Sequence, residues 1–210
     1  MHTKREQNAA RIKFKTLEYV LNESRSRNFD TIQVVEICKH VGISKVTFFK
    51  YFARKEDLLL YYKSTLTLRL IIMLAKNKME GMGALNLIIQ QFANEYAARP
   101  SMVLGLIHYF TDSTQYVTPM RVKPAERVLF FPEAETLTYE MISFDELIEQ
   151  QMLDVVFKKQ SALSANSKHL SEVFTSSLYG AIVMFRIKNL DNISSFLYQI
   201  LGAIFPTIRG

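Results

Sequence analysis

The residues best suited to chemistry in this chain of 210 residues lie just after Gly42. Lys45, Val46, Thr47, Lys50 and Tyr51 follow it at close spacing and combine cations, hydroxyls and an apolar side chain. Ammonium and hydroxyl groups donate to base edges and phosphate oxygens, and Val46 offers methyls to a thymine methyl. The set therefore fits the major groove of DNA. Beyond it, Arg54 and Lys55 precede Glu56, Asp57 and Leu58. Cations and the free N–H groups of a starting helix then lie where a phosphate could be held, the alternative being an ordinary solvated helix start.

Two short helices must position these groups. Val34, Ile37, Cys38 and Val41 fall at i, i+3, i+4 and i+7, and Gly42 stands where a left-handed cap ends such a helix. Ser44 can cap the next helix by accepting from a backbone N–H near Thr47, and Phe48 and Phe52, four apart, give it a buried face. Two helices joined by a glycine turn make a helix-turn-helix. Ahead of them, Ile12, Thr16, Leu17, Val20 and Leu21 mark a first helix from Arg11, which the polar residues 22–28 end. Residues 1–10 show no periodicity and read as a flexible basic arm.

Composition places these elements in an all-α protein. With 7 Gly, 5 Pro and 49% hydrophobic residues, there is little turn chemistry for a many-stranded sheet. The net charge of +6 is uneven: residues 1–60 hold 12 Lys+Arg against 7 Asp+Glu, and residues 61–210 hold 14 against 13. A basic head thus joins a near-neutral remainder. The single Cys38 and the lack of a signal-like start imply a cytoplasmic setting, and no uninterrupted apolar run reaches the roughly 18 residues of a bilayer span. His2, His40 and His169 are scattered, so no metal-ligand spacing appears, and no nucleophile elbow or phosphate loop points to an enzyme or a cofactor.

Residues 32–59 (IQVVEICKHVGISKVTFFKYFARKEDLL) resemble the DNA-binding signature of the TetR family of bacterial transcription regulators. Ile37, Gly42, Ser44, Thr47, Phe48, Phe49, Phe52, Lys55, Glu56, Asp57 and Leu58 stand in its register. The resemblance implies that Ser44, Thr47, Phe49 and Lys55 hold phosphates while Lys45, Val46, Lys50 and Tyr51 approach bases. Three positions depart from the family pattern. Val46 replaces a common glycine, Phe49 lacks a tyrosine's hydroxyl, and Gln33 stands where a Ser or Thr usually caps the second helix and touches the DNA backbone.

The remainder reads as long amphipathic helices over residues 55–78, 84–98 and 101–111, broken by Gly81, Gly83 and Pro100. Met73, Phe92, Tyr96, Met102, His108, Tyr109 and Phe110 face inward as core or as the lining of an apolar pocket, with Asp112 four residues from His108. Residues 113–142 hold Pro119, Pro124 and Pro132 and form a long connection, a pocket lid or an arm, in which 128–131 and 136–141 make a hairpin or a structured loop. Ser143 and Glu146 make a capping box that starts a helix through about residue 160. Two last helices cover 167–188 and 191–206. Their apolar stripes, with Ser177, Gly180 and Ala181 allowing close crossing, serve a single-chain core or a four-helix interface between two copies. In the family the last two helices dimerise, which implies an interface of Phe174, Ser177, Leu178, Ala181, Phe185, Phe196, Ile200, Leu201 and Ile204.

These readings combine into about nine helices, with a helix-turn-helix domain at 11–54 and a ligand-binding and dimerisation domain at 55–210. The resemblance implies a homodimeric repressor that binds a palindromic operator in double-stranded DNA and is released by an apolar or amphipathic small molecule. It needs no cofactor or membrane and works at the nucleoid. Rival readings are a constitutive DNA or nucleoid binder and a protein-interaction module, neither with an inducer.

Overall fold

A computed structural model of the chain describes residues 2–112, 120–135, 137, 139–159 and 167–204, with only the backbone of 156–159 and 204. Ten α-helices occur among them, and no strand. α1 is Lys4–Glu23, α2 Val34–Val41, α3 Lys45–Tyr51, α4 Asp57–Asn77 and α5 Gly81–Ala98. α6 is Pro100–Asp112, α7 Pro124–Phe130, α8 Phe144–Lys159, α9 Ser167–Ile187 and α10 Ile193–Ile204. The chain forms two compact units, Met1–Arg69 with Ala98–Leu137 and Leu70–Ala97 with Thr138–Gly210.

The first unit holds α1 to α3, most of α4, α6 and α7, so the compact units do not divide at residue 54. Hydrogen bonds explain why α6 joins the head. Arg99 Nε donates to the Leu21 carbonyl at 3.2 Å, and Ser101 Oγ lies 3.3 and 3.4 Å from the carbonyls of Ser24 and Arg27. These acceptors lie at and beyond the end of α1, where helix carbonyls lack internal partners. Leu17, Val20, Phe29, Ile32, Ile37, Phe48, Phe52 and Leu58 fill the core of this unit.

Two expectations fail here. Residues 4–10 are no loose arm but the first turns of α1, because Thr3 and Glu6 make a capping box and Ala10 is buried. Glu6 N donates to Thr3 Oγ1 at 3.2 Å, and Thr3 N to Glu6 Oε2 at 2.8 Å. Residues 128–130 are the end of a helix, not a hairpin strand. Pro124 opens α7 with its φ already set, and the Glu126 carboxylate accepts the Lys123 N–H at 3.1 Å. Of the second hairpin segment, Thr136 and Thr138 lie outside the described residues.

The second unit holds the end of α4, then α5, α8, α9 and α10. α9 packs on both α8 and α10. Leu85, Ile88, Ile89, Ile148, Phe174, Leu178, Ile182, Leu197 and Leu201 are among its most buried apolar residues. Polar bonds fix its registers: Gly81 N donates to the buried Gln151 Oε1 at 2.9 Å, and Tyr198 Oη to the Asn86 carbonyl at 3.2 Å. The Ser143 cap is present, with Glu146 N donating to Ser143 Oγ at 3.2 Å. Among the described residues α4 alone is long and apolar enough to cross a bilayer, but 67% of its apolar window is buried in the protein, as in a core helix.

Candidate nucleic-acid interface

The turn between α2 and α3 is set by local chemistry. Gly42 has φ 75°, ψ 39°, a left-handed conformation that a side chain disfavours, and its N–H donates to the Cys38 carbonyl at 3.0 Å. Ser44 Oγ then accepts the Thr47 N–H at 3.1 Å and lies 2.9 Å from Thr47 Oγ1. Thr47 is thereby tied to the cap, and the N-terminus of α3 points its free N–H groups outward.

Phe48 and Phe52 anchor the inner face of α3, both fully buried with ring centroids 5.5 Å apart. The opposite face is presented to solvent. Lys45, Val46, Phe49 and Lys50 are exposed, Val46 by 81%, while Thr47 and Tyr51 are half-buried. A valine that open on a seven-residue helix is not packed by the described residues. Phe49 stands edge-on to Phe48 at 5.3 Å, which fixes the orientation of its ring.

α2 begins without a side-chain cap from Gln33, which is exposed. Glu36 substitutes: its Oε2 accepts the Gln33 N–H at 3.1 Å and the Arg27 Nη2 at 2.8 Å. These two bonds, the backbone one foremost, hold the Glu36 carboxyl below the ordinary carboxylate range.

Lys55 departs most from the sequence expectation. Its ammonium donates to the carbonyls of Phe29, Asp30 and Ile32 at 3.2, 3.0 and 3.3 Å and stands 4.7 Å above the Phe29 ring. All three of its N–H donors are thus occupied by main chain. The lysine staples the connection before α2 to the connection after α3, and a phosphate would have to compete with those carbonyls. Sequence spacing gave no sign of this partner, which lies 23 to 26 residues upstream. Arg54, also missed as a structural element, donates from Nη2 to Tyr109 Oη at 2.6 Å.

Tyr109 is therefore engaged as an acceptor on α6. Of the other expected pocket residues, Met102 is buried in the first unit, while His108 and Asp112 are exposed. Met73, Phe92 and Tyr96 belong to the second unit, where Phe92 meets the ring of Tyr179 at 5.8 Å and Tyr96 that of Phe185 at 5.7 Å. Among the described residues no group of three or more His, Cys, Asp or Glu is placed to hold a metal ion.

The expected dimer residues are for the most part interior to one chain. Phe174, Leu178, Ala181, Phe185, Phe196 and Leu201 are buried within the unit, with Phe185 and Phe196 6.1 Å apart, so they are core. Ser177 donates to the Val173 carbonyl, Ile200 is half-buried, and the Ile204 side chain lies outside the described residues. Among the described residues another face of α9 and the turn after it carry an exposed apolar stripe: Gly180, Val183, Met184, Ile187 and Leu190, with Ile187 70% exposed. Periodicity marks both stripes as apolar, and only packing separates the covered one from the open one.

Residues 24–62 match the family model of bacterial regulatory proteins of the tetR family. Curated protein sequences give no match. The fold is similar to that of FadR from Thermus thermophilus, a TetR family transcriptional repressor in complex with lauroyl-CoA, with TM-score 0.66 and 15% identity over 94% of this chain and 95% of that one. It is similar to a TetR transcriptional regulator from Rhodococcus sp. RHA1, with TM-score 0.62 and 15% identity over 97% and 100% of the two chains. A gamma-butyrolactone receptor shares it at TM-score 0.51 and 14% identity, over 97% of this chain and 90% of the other.

Proposed function

The chain carries the TetR-family DNA-binding segment on a TetR-like fold, and from that premise we propose that it is a sequence-specific repressor that binds a palindromic operator as a homodimer. The observation that carries this reading is the outward face of α3. Lys45, Val46 and Lys50 stand open beside the capped Ser44–Thr47 turn, offering donors for guanine and methyls for thymine on a helix pinned from behind by Phe48 and Phe52. Gln33, Ser44, Thr47 and Phe49 border the phosphates, and Tyr51 reaches bases from the edge of the same face. Lys55 supports the reading head from within.

Two reading heads related by a two-fold axis require a palindrome with half-sites about 34–36 Å apart or a multiple of that. The open face of α9, centred on Gly180, Val183, Met184 and Ile187, is the surface for the second copy. Dimerisation and sensing belong to the part of the chain beyond the helix-turn-helix. The ligand is an apolar or amphipathic small molecule, a reading supported by the lauroyl-CoA complex and the butyrolactone receptor that share the fold. It acts by preferring the arrangement that does not bind DNA. A coupling of about 1–3 kcal/mol weakens operator binding roughly 5–150-fold. Such a protein catalyses nothing and works in the cytoplasm, on the nucleoid.

Selection of bound sequences from a random DNA pool tests the reading, followed by footprinting with and without acyl thioesters and lactones. Enrichment of a palindrome supports it, and loss of the footprint with one ligand class supports the inducer. Binding that enriches no sequence and keeps a steep salt dependence overturns it in favour of a nucleoid binder.

A further inference from the structure

An ion pair lies buried in the first unit, away from the DNA-facing surface. Lys13 Nζ of α1 stands 3.0 Å from Glu126 Oε1 of α7, and Tyr61 Oη of α4 donates to Glu126 Oε2 at 2.9 Å. Lys13, Tyr61 and Glu126 are 7%, 0% and 2% exposed. The ammonium also stands 5.0 Å from the Tyr61 ring centroid, and Glu126 Oε2 accepts the Lys123 N–H at the head of α7. One carboxylate thus joins three helices through directional bonds.

Buried charges of this kind add little net stability against apolar side chains of the same volume, because desolvating them offsets their attraction. What they supply is geometry: apolar surfaces can slide past one another, whereas a two-oxygen carboxylate between an ammonium and a hydroxyl cannot without losing a bond. The joint is connected to the reading helix. Tyr61 meets Phe52 at 5.7 Å between ring centroids, Phe52 meets Phe48 at 5.5 Å, and Phe48 is the inner anchor of α3. On the other side Phe130 of α7 packs on Phe14 of α1 at 4.9 Å and on Tyr61 at 6.0 Å.

We infer that Glu126 is a positioning residue for DNA reading: held by Lys13 and Tyr61, it seats α7 against α1 and α4 and so fixes the attitude of the recognition helix. The inference rests on the DNA-binding reading above. It gives α7 a task in the head, far along the chain from the helix-turn-helix.

The test uses the full chain with Glu126→Gln, Tyr61→Phe and the double variant Lys13→Met with Glu126→Leu. The double variant leaves no unpaired buried charge, only the neutral Tyr61 hydroxyl and Lys123 N–H without their acceptor, so it stays folded even where Glu126→Gln does not. Operator affinity, its salt slope, thermal unfolding and hydrogen exchange of the residue 34–51 amides are measured. The double variant, which also takes the acceptor from the buried Tyr61 hydroxyl, is expected to melt a few degrees below the parent, to bind operator on the order of tenfold more weakly with an unchanged salt slope, and to exchange those amides faster. Tyr61→Phe shows a smaller loss of the same kind. Unchanged operator affinity in the double variant overturns the inference and leaves the cluster a packing feature. A parent chain that selects no DNA overturns the functional reading instead, and the exchange comparison then decides the positioning role by itself, unchanged rates refuting it.

Discussion

Replacing Lys55 by Met separates a phosphate contact from a structural staple. In the structure the Lys55 ammonium makes three hydrogen bonds to main-chain carbonyls and stands over the Phe29 ring. Bonds to a charged donor contribute about 1.5–3 kcal/mol each when isolated. Here three factors reduce the total. Lys55 is half-buried and screened by water, ordering its long side chain costs up to about 2 kcal/mol, and the Phe29 carbonyl keeps a second donor, the Ile32 N–H at 3.1 Å. A net loss of about 1–3 kcal/mol remains. At about 2–4 °C per kcal/mol for a chain of this size, the melting temperature should fall by roughly 2–12 °C. The salt dependence of operator binding should stay the same, since no phosphate loses its cation, whereas removal of a true phosphate contact lowers the slope by about 0.9. Calorimetry and fluorescence anisotropy at several salt concentrations read both quantities. A slope lower by about one with an unchanged melting temperature would falsify the staple and return Lys55 to the DNA backbone. Lys45→Ala, the companion variant, removes an exposed cation and should relax base preference by about 1–3 kcal/mol without lowering the melting temperature.

Ser44→Ala should cost about 1 kcal/mol of stability through loss of the α3 cap, while Ser44→Asp keeps the cap and repels the phosphate; equal operator affinity for Ser44→Asp and parent would remove Ser44 from the interface. Ile187→Asp should give folded monomers by sedimentation, because the side chain is exposed, and an intact dimer would refute the α9 face. Phe174→Ala, by contrast, should cost about 3–5 kcal/mol of stability as a core cavity, and a small loss would show that this residue is not core. Acid should loosen the start of α2. The folded Glu36 carboxyl titrates below its ordinary value, so its stabilisation is complete above the ordinary carboxylate range and is lost as pH falls through the lowered folded value. Exchange of the α2 amides should therefore rise in that acid window for the parent and not for Glu36→Gln. A parallel rise in the variant would show that Glu36 is not responsible.

Much of the reading head was legible because its determinants are local. A left-handed glycine, a serine three residues before the N–H it caps, and phenylalanines four apart fix a turn and two helices from within about 20 residues. The same logic recovered the Ser143 cap and the approximate limits of α4, α5, α6, α9 and α10. It missed the capping box at Thr3 and Glu6, where a polar composition concealed an ordinary helix start. It also misread residues 128–131, where an apolar run of strand-like residues follows a proline that opens a helix.

The sequence by itself determined that α3 is a helix with two cations, a valine and a tyrosine on or beside its outer face, because helical spacing and capping involve neighbours in the chain. Tertiary structure alone decided what each apolar stripe meets and which cation is already occupied. Phe174 and Ile187 are both large apolar residues of α9, yet one is interior and the other open. Lys45 and Lys55 carry the same charge, yet one faces solvent and the other is held by three carbonyls from a distant connection. The physical reason is that burial and hydrogen-bond satisfaction depend on residues brought together only when the helices pack. Glu126 shows it most plainly: an acidic residue on a short helix became the joint of three helices once Lys13 and Tyr61 arrived beside it.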